Sequence, residues 1–221
     1  MIRQTPFVVN LDVINDALNH LPPDEFRYSL NRPTGNFFYD PWVLKDEFKS
    51  TPWETLYNSV LEDKGEARLI KLDAGKCYIS HADIDDRYHL NLSGTKCFLI
   101  NLNTEEMIPL VTNGLWYDMD AGPRHSATNF GNYPRYQLVI RKRLINASLT
   151  NPRRVTITAP SMDPEDARFL FDDTLSSWFN SANKRNIIND FFYQNSIISF
   201  NVENDYYTEL LQIIPKGFNL Q

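Results

Sequence analysis

From about residue 66 the chain alternates apolar and polar positions in short runs: "ARLIKLD", "KCYIS", "RYHLNL", "KCFLINL", "LWYDMD" and "RYQLVIRK". Polar or glycine-containing breaks separate them. Short runs of β-formers at close spacing predict an antiparallel sandwich or barrel rather than βαβ units. "RRVTITA" (153–159) predicts one more strand. The flanks carry a different period. "NLDVINDALNH" (10–20) places apolar residues at helical spacing and stops at "LPPDE", where proline ends a helix. A second helix is expected over 52–62, with proline in its first turn. Between them, residues 31–44 are rich in turn formers and aromatics and read as irregular. Past the β region, Asp163-Pro164 opens a helical pattern that runs through Trp178. A further helix is expected near 184–194, then a mixed tail. The expected organisation is a single domain over 1–221. It has a helical or irregular segment (1–64), a β core (65–159) and a helical C-terminal region (160–221).

Composition narrows the classes. The 221 residues are 42% apolar and 13% aromatic, which suits a folded chain with a sizeable core. Net charge is −6 and the pI about 5.2, so no global positive field draws in nucleic acid or anionic lipid. The run Arg141-Lys142-Arg143 reads as a solvated strand end. Cys77 and Cys97, in apolar contexts, read as buried free thiols rather than a metal or disulfide pair. No apolar run reaches membrane-spanning length, and the first residues turn polar too early for a signal peptide. The sequons at Asn91 and Asn146 are therefore taken as incidental, and a reducing, cytoplasmic compartment is expected. Oligomeric state is not legible.

Candidate chemistry gathers in "SHADIDDRYHLNL" (80–92), which holds two of the four histidines. In an extended strand, residues two apart share a face, so His81 and Asp83 present an imidazole and a carboxylate together. His125, after an Asp-Ala-Gly-Pro turn, is the distal histidine that would complete a 2-His-1-carboxylate set, an arrangement diagnostic of non-haem Fe(II) oxygenases. H-x-D alone is a weak motif, and surface or capping residues explain it equally. Further positions add to it. Arg135 opens the strand "RYQLVI" and shares a face with Gln137 and Val139. A lone arginine on an apolar strand calls for an anion, and its guanidinium matches a carboxylate bidentately. Arg87 and His89 share one face of "RYHLNL".

Together, "GEARLIKLDAGKCYISHADIDDRYHLNL" and "GLWYDMDAGPRHSATNFGNYPRYQLVIRK" resemble the aspartyl/asparaginyl β-hydroxylase family, which includes bacterial proline hydroxylases. The resemblance covers roughly residues 65–143. It implies a mainly β fold, a double-stranded β-helix (cupin-like jelly roll) with flanking N- and C-terminal helices. It also implies an Fe(II)- and 2-oxoglutarate-dependent dioxygenase that uses O₂, yields succinate and CO₂, and hydroxylates an unactivated C–H bond. The substrate would be a free amino acid, or an Asp, Asn or Pro residue in a peptide. Carried over, the iron ligands are His81, Asp83 and His125. Arg135 pairs with the distal carboxylate of 2-oxoglutarate, and Arg87 and His89 lie against the cosubstrate. "DAG" replaces the more usual Pro-Gly before the first metal strand, and the C-terminal third looks closer to the proline-hydroxylase branch.

Other residues have plainer readings. Asp85 and Asp86 are expected to be solvated acids in a turn. Arg124 is a surface ion pair or a substrate contact. Trp116, Phe37, Phe38, Tyr39 and Trp42 belong to the core, and Ser126 and Asn129 serve a turn or the site's edge. His20 ends the first helix, where a cation complements the dipole. A rival class is a non-oxygenase cupin, either a metal-dependent hydrolase or isomerase or a binding module. It has no need of Arg135 ten residues after His125, nor of the Arg87/His89 pair.

Overall fold

A computed structural model describes residues 2–22, 27–61, 64–159, 171, 174–194 and 197–221. Successive strands switch between two facing sheets. The larger contains β1 (Ile2–Val8), β2 (Arg27–Ser29), β5 (Lys64–Leu72), β6 (Arg87–Asn91), β9 (Leu115–Met119) and β11 (Arg135–Lys142), in the order β1-β9-β6-β11-β5-β2. The smaller contains β7 (Cys97–Asn101), β8 (Glu106–Pro109) and β10 (His125–Asn129), in the order β10-β7-β8. The segment 77–81 runs beside β10 through bridges at Cys77–Thr128 and His81–His125. From β5 onward the chain thus visits large, small, large, small, large, small and large sheet. This is the double-stranded β-helix, and every pairing in it is antiparallel. Short β3 (Asn31–Pro33) and β4 (Trp42–Leu44) pair within the aromatic segment expected to be irregular.

Alternation decides what each sheet face buries. Tyr88, Leu90, Leu138, Ile140, Ala67, Leu69 and Trp116 point outward from the large sheet. There they pack under α1 (Leu11–Asn19) and α2 (Pro52–Asn58), which contribute Ile14, Ala17, Trp53, Leu56 and Tyr57. Asn10 caps α1, its side chain accepting from the Asp12 N–H at 2.9 Å, and Pro52 starts α2. The opposite face carries Arg68, Arg87, His89, Asn91, Arg135 and Gln137 into the jelly roll, where all but Arg87 are buried by residue and Arg87 is nearly so. A polar interior inside an apolar shell is costly unless its groups find partners, and it marks where the chemistry lies.

The C-terminal region departs from the helical expectation. It has α3 (Ser176–Lys184) and α4 (Tyr207–Ile213), but residues 188–194, expected as helix, form a strand. β12 (Pro152–Thr158), β13 (Ile188–Gln194), β14 (Ile197–Glu203) and β15 (Asn219–Leu220) make a separate four-stranded sheet, β13-β14-β12-β15. Its core includes Val155, Phe179, Phe191 and Phe200, and the jelly roll lends it Phe38, Ile84 and Leu144. The expected helix start at Asp163-Pro164 lies outside the described residues.

Three surface assignments are also corrected. Asp85 is only 3% exposed, bound to Arg141 and Arg87 rather than solvated. Arg141 and Lys142 are largely covered, Arg141 on Asp85 from the turn before β6 and Lys142 on Asp118 of β9 at 2.8 Å. Cys97 is buried as expected, but Cys77 is exposed; it faces outward at the sheet margin, and both thiols are free. Among the described residues, no helix is long and apolar enough to cross a membrane.

Candidate metal centre

His81 and His125 face each other across the bridge that joins the 77–81 segment to β10. Their backbones exchange two hydrogen bonds, His81 N–H to His125 O at 3.0 Å and His125 N–H to His81 O at 2.8 Å. This doubly bonded pairing sets both rings on the inward face, with centroids 4.6 Å apart. Each Nδ1 lies 2.9 Å from a backbone carbonyl, that of Ile79 for His81 and of Pro123 for His125. Carbonyls only accept, so both Nδ1 atoms carry the proton and both Nε2 lone pairs stay free. Asp83 follows with the same parity, its N–H donating to Ala121 O at 2.9 Å. Its Oδ2 stands 3.4 Å from His125 Nε2 and 3.7 Å from His81 Nε2.

The sequence-derived trio is therefore one cluster, with ligand atoms within 4.8 Å of one another. Whether it suits a cation is decided by Asp83 Oδ2, which is buried and has no hydrogen-bond partner among the described residues. An ionised carboxylate oxygen facing two imidazole lone pairs is three acceptors without a donor. A divalent cation supplies what they lack, and ligands about 2.1 Å from one ion lie about 3.0–3.4 Å apart. Burial alone would raise the Asp83 pKa, but the Arg87 guanidinium holds it well below the usual carboxylate range. Burial lowers the His81 pKa, against the pull of Asp83. Both shifts favour the deprotonated forms of Asp83 and His81 that metal binding requires.

Deeper in the jelly roll stand the remaining sequence-derived residues. Arg135 is fully buried. Its Nη2 donates to the Tyr78 hydroxyl at 3.4 Å, while Nε and Nη1 have no hydrogen-bond partner among the described residues. Gly94, at φ +119°, packs on its stem, where a β-carbon would stand 3.0 Å from Arg135 Cγ. His89 is also buried, and its pKa is pushed down to about 3 by desolvation first and then by Arg87 and His125. Gln137 Nε2 and Thr128 Oγ1 are two more buried atoms without partners among the described residues. Arg87 turns instead toward the trio, its Nη2 2.5 Å from Asp83 Oδ1.

Other candidates resolve into structural roles. Arg124 lies on the opposite face from His125, donating to Ser80 Oγ at 2.8 Å. Ser126 donates to Tyr78 O, and Asn129 ties down Leu72 O and Tyr133 O. Trp116 is core, donating to Ser59 Oγ at 2.8 Å. His20 Nδ1 lies 2.8 Å from Asp16 O at the end of α1. Sequence reasoning missed Tyr78 as a neighbour of Arg135. Parity hides Tyr78, since it lies three positions before His81. The bridges Cys77–Thr128 and His81–His125 are four positions apart on this segment against three on β10, and that extra residue breaks the alternation.

No family model matches the chain, and no curated protein matches it. Among solved structures, it is similar to an oxidoreductase of the 2OG-Fe(II) oxygenase family from Burkholderia pseudomallei. Identity is 12%, over 63% of this chain and 82% of that one, with a TM-score of 0.41. A prolyl-4-hydroxylase from Pseudomonas putida is 16% identical over 64% of this chain and 92% of that one, at 0.37. A sugar phosphate isomerase of a cupin superfamily, from Silicibacter pomeroyi, is 14% identical over 70% and 74%, at 0.31. At TM-scores below 0.5 these likenesses decide nothing about this chain, and more than one activity is represented among them.

Proposed function

We propose that this chain is an Fe(II)- and 2-oxoglutarate-dependent dioxygenase of the aspartyl/asparaginyl β-hydroxylase type. It hydroxylates an amino acid, free or as an Asp, Asn or Pro residue in a peptide. The observation that carries the proposal is Arg135, a buried guanidinium with two nitrogens unpartnered among the described residues, in the same interior as the His81/Asp83/His125 trio. A buried charge without a counter-ion is strongly unfavourable, and a carboxylate ligand supplies one. The trio alone suits a hydrolase or isomerase metal equally well; the arginine is what a dicarboxylate cosubstrate adds.

The residues then have distinct tasks. His81, Asp83 and His125 hold the metal through Nε2, Oδ2 and Nε2. Bound Fe(II) and 2-oxoglutarate supply O₂ activation, with succinate and CO₂ as products and one oxygen atom delivered to the C–H bond. Arg135 takes the distal carboxylate, and Tyr78 steadies the guanidinium. Burial raises the Tyr78 pKa, which keeps its hydroxyl protonated beside that charge. His89, neutral at working pH, and Gln137 offer polar atoms along the cosubstrate without adding charge. The apolar shell around the large sheet keeps the interior dry and its electrostatics strong. Free thiols at Cys77 and Cys97 agree with a cytoplasmic setting.

Succinate formation from 2-oxoglutarate, with Fe(II) and O₂, tests the proposal when free amino acids and short Asp-, Asn- or Pro-containing peptides are screened. One substrate class is expected to stimulate succinate and acquire a hydroxyl. Folded, iron-loaded protein that forms no succinate with or without substrate contradicts it and favours the non-oxygenase cupin.

A further inference from the structure

The residues from Asp83 to Asp86 send their side chains to four different anchors. Asp83 faces the histidines, and Ile84 enters the C-terminal core. Asp86 Oδ1 accepts from Asn180 Nδ2 at 3.0 Å and from Ala121 N at 3.2 Å, with Lys184 Nζ at 3.0 Å. Asp85, almost fully buried, joins a row of alternating charges. Arg87 Nη2 holds Asp83 Oδ1 at 2.5 Å, and Arg87 Nε lies 3.6 Å from Asp85 Oδ1. Asp85 Oδ2 accepts from Arg141 Nε. The Arg141 guanidinium lies over the Phe37 ring at 4.6 Å, its Nη1 3.9 Å from Glu66 Oε2. Arg87 and Arg141 are directly opposed in the β6–β11 register, so the row is fixed by strand pairing.

We infer that Asp85 and Arg141 are positioning residues for Asp83, acting through Arg87, which presents Asp83 to the metal by Oδ2 alone. The inference rests on the metal-site reading of His81, Asp83 and His125. Two physical effects converge. Ion-paired with Asp85 at 3.6 Å, Arg87 occupies Oδ1 and leaves Oδ2 as the carboxylate oxygen on the histidine side. Asp85 also neutralises Arg87, whose positive charge would otherwise repel a divalent cation bound by the adjacent carboxylate. Arg141, stacked on Phe37 and Phe38, fixes Asp85 in turn. Neighbours that orient metal ligands typically change affinity about 10- to 100-fold when altered.

Anaerobic Co(II) titration, followed by visible absorption, tests this. The unaltered chain is expected to bind one equivalent and Asp83→Ala to lose it. Asp85→Asn is expected to bind about 10- to 100-fold more weakly and to show an altered cobalt spectrum, because the carboxylate presentation changes. Arg141→Met should weaken binding in the same direction. The double variant should be no worse than Asp85→Asn, since both act along one row. Should Asp85→Asn fail to fold by circular dichroism, Arg141→Lys keeps the charge without the planar fork and should bind more weakly than the unaltered chain. Unchanged affinity and spectrum in the folded variants, with binding lost in Asp83→Ala, overturn the inference alone. Additive losses in the double variant overturn it too. No cobalt binding by the unaltered chain overturns the metal site itself, and the inference with it.

Discussion

Asp83 divides its two oxygens between opposite partners, Oδ1 on a guanidinium and Oδ2 on two imidazole lone pairs. That division, and the two Arg135 nitrogens without partners among the described residues, carry the functional account. Arg135→Met should raise the 2-oxoglutarate concentration for half-saturation about 100-fold, because a buried charge pair lost from one side is worth several kcal/mol. Metal affinity should stay within a few-fold, and isothermal titration of each ligand separates the two effects. His89 gives a pH prediction. Its folded pKa of about 3 lies below the ordinary 6.5, so between these values the unfolded chain binds the proton that the folded chain refuses. Stability from this group is complete above about pH 6.5 and falls as pH drops toward 3. Melting curves between pH 7 and 4 should decline less steeply for metal-free His89→Gln than for the unaltered chain; equal slopes would contradict the assignment. The trio and Arg135 were legible because period-two parity and the strangeness of a lone arginine are local signals. Asp85 and Asp86 were not. Adjacent acids in a turn look alike, and their partners Arg141 and Asn180 lie 56 and 94 residues away.

At the scale of elements, the jelly-roll strands were readable where one face packs under α1 and α2 and the other carries polar residues. β13 was not. Its register slips between Asn189 and Phe192 beside Asp190, which sits at φ +51°. The bulge brings Ile188 and Phe191 to one buried face, a spacing of three that imitates a helix. β1 was missed for a similar reason, a register shift between Gln4 and Val8 that spoils its alternation. The turn before β7 carries its own constraint. Gly94→Ala places a β-carbon 2.9 Å from Cys97 Sγ and 3.0 Å from Arg135 Cγ at a φ that side chains rarely adopt. The substitution should destabilise the fold by about 1–3 kcal/mol in urea unfolding and weaken 2-oxoglutarate binding. A wild-type midpoint with wild-type binding would show that the stem of Arg135 is free to move.

Over the whole molecule, the two larger apolar cores flank an interior that combines the polar residues with a smaller apolar cluster, Leu99, Met119 and Ala127 among it. One of the two lies between the large sheet and the N-terminal helices, the other within the C-terminal sheet, and the 83–86 turn touches the second region through Ile84 and Asp86. This arrangement was only half legible. The first core follows from periodicity, whereas the second depends on a sheet that pairs residues as distant as Ile157 and Leu220 and on contacts from Phe38 and Leu144. Among the described residues, the interior leaves unsatisfied the Asp83 oxygen facing the two histidines, two nitrogens of Arg135 and several other buried polar atoms. All three are answered by one metal ion with one dicarboxylate. The most direct test adds Fe(II) and then 2-oxoglutarate to the purified chain without oxygen and records the visible spectrum. A weak metal-to-ligand charge-transfer band that saturates at one equivalent, and is absent in His81→Ala, is the predicted result. A well-folded protein that shows no such band contradicts the account.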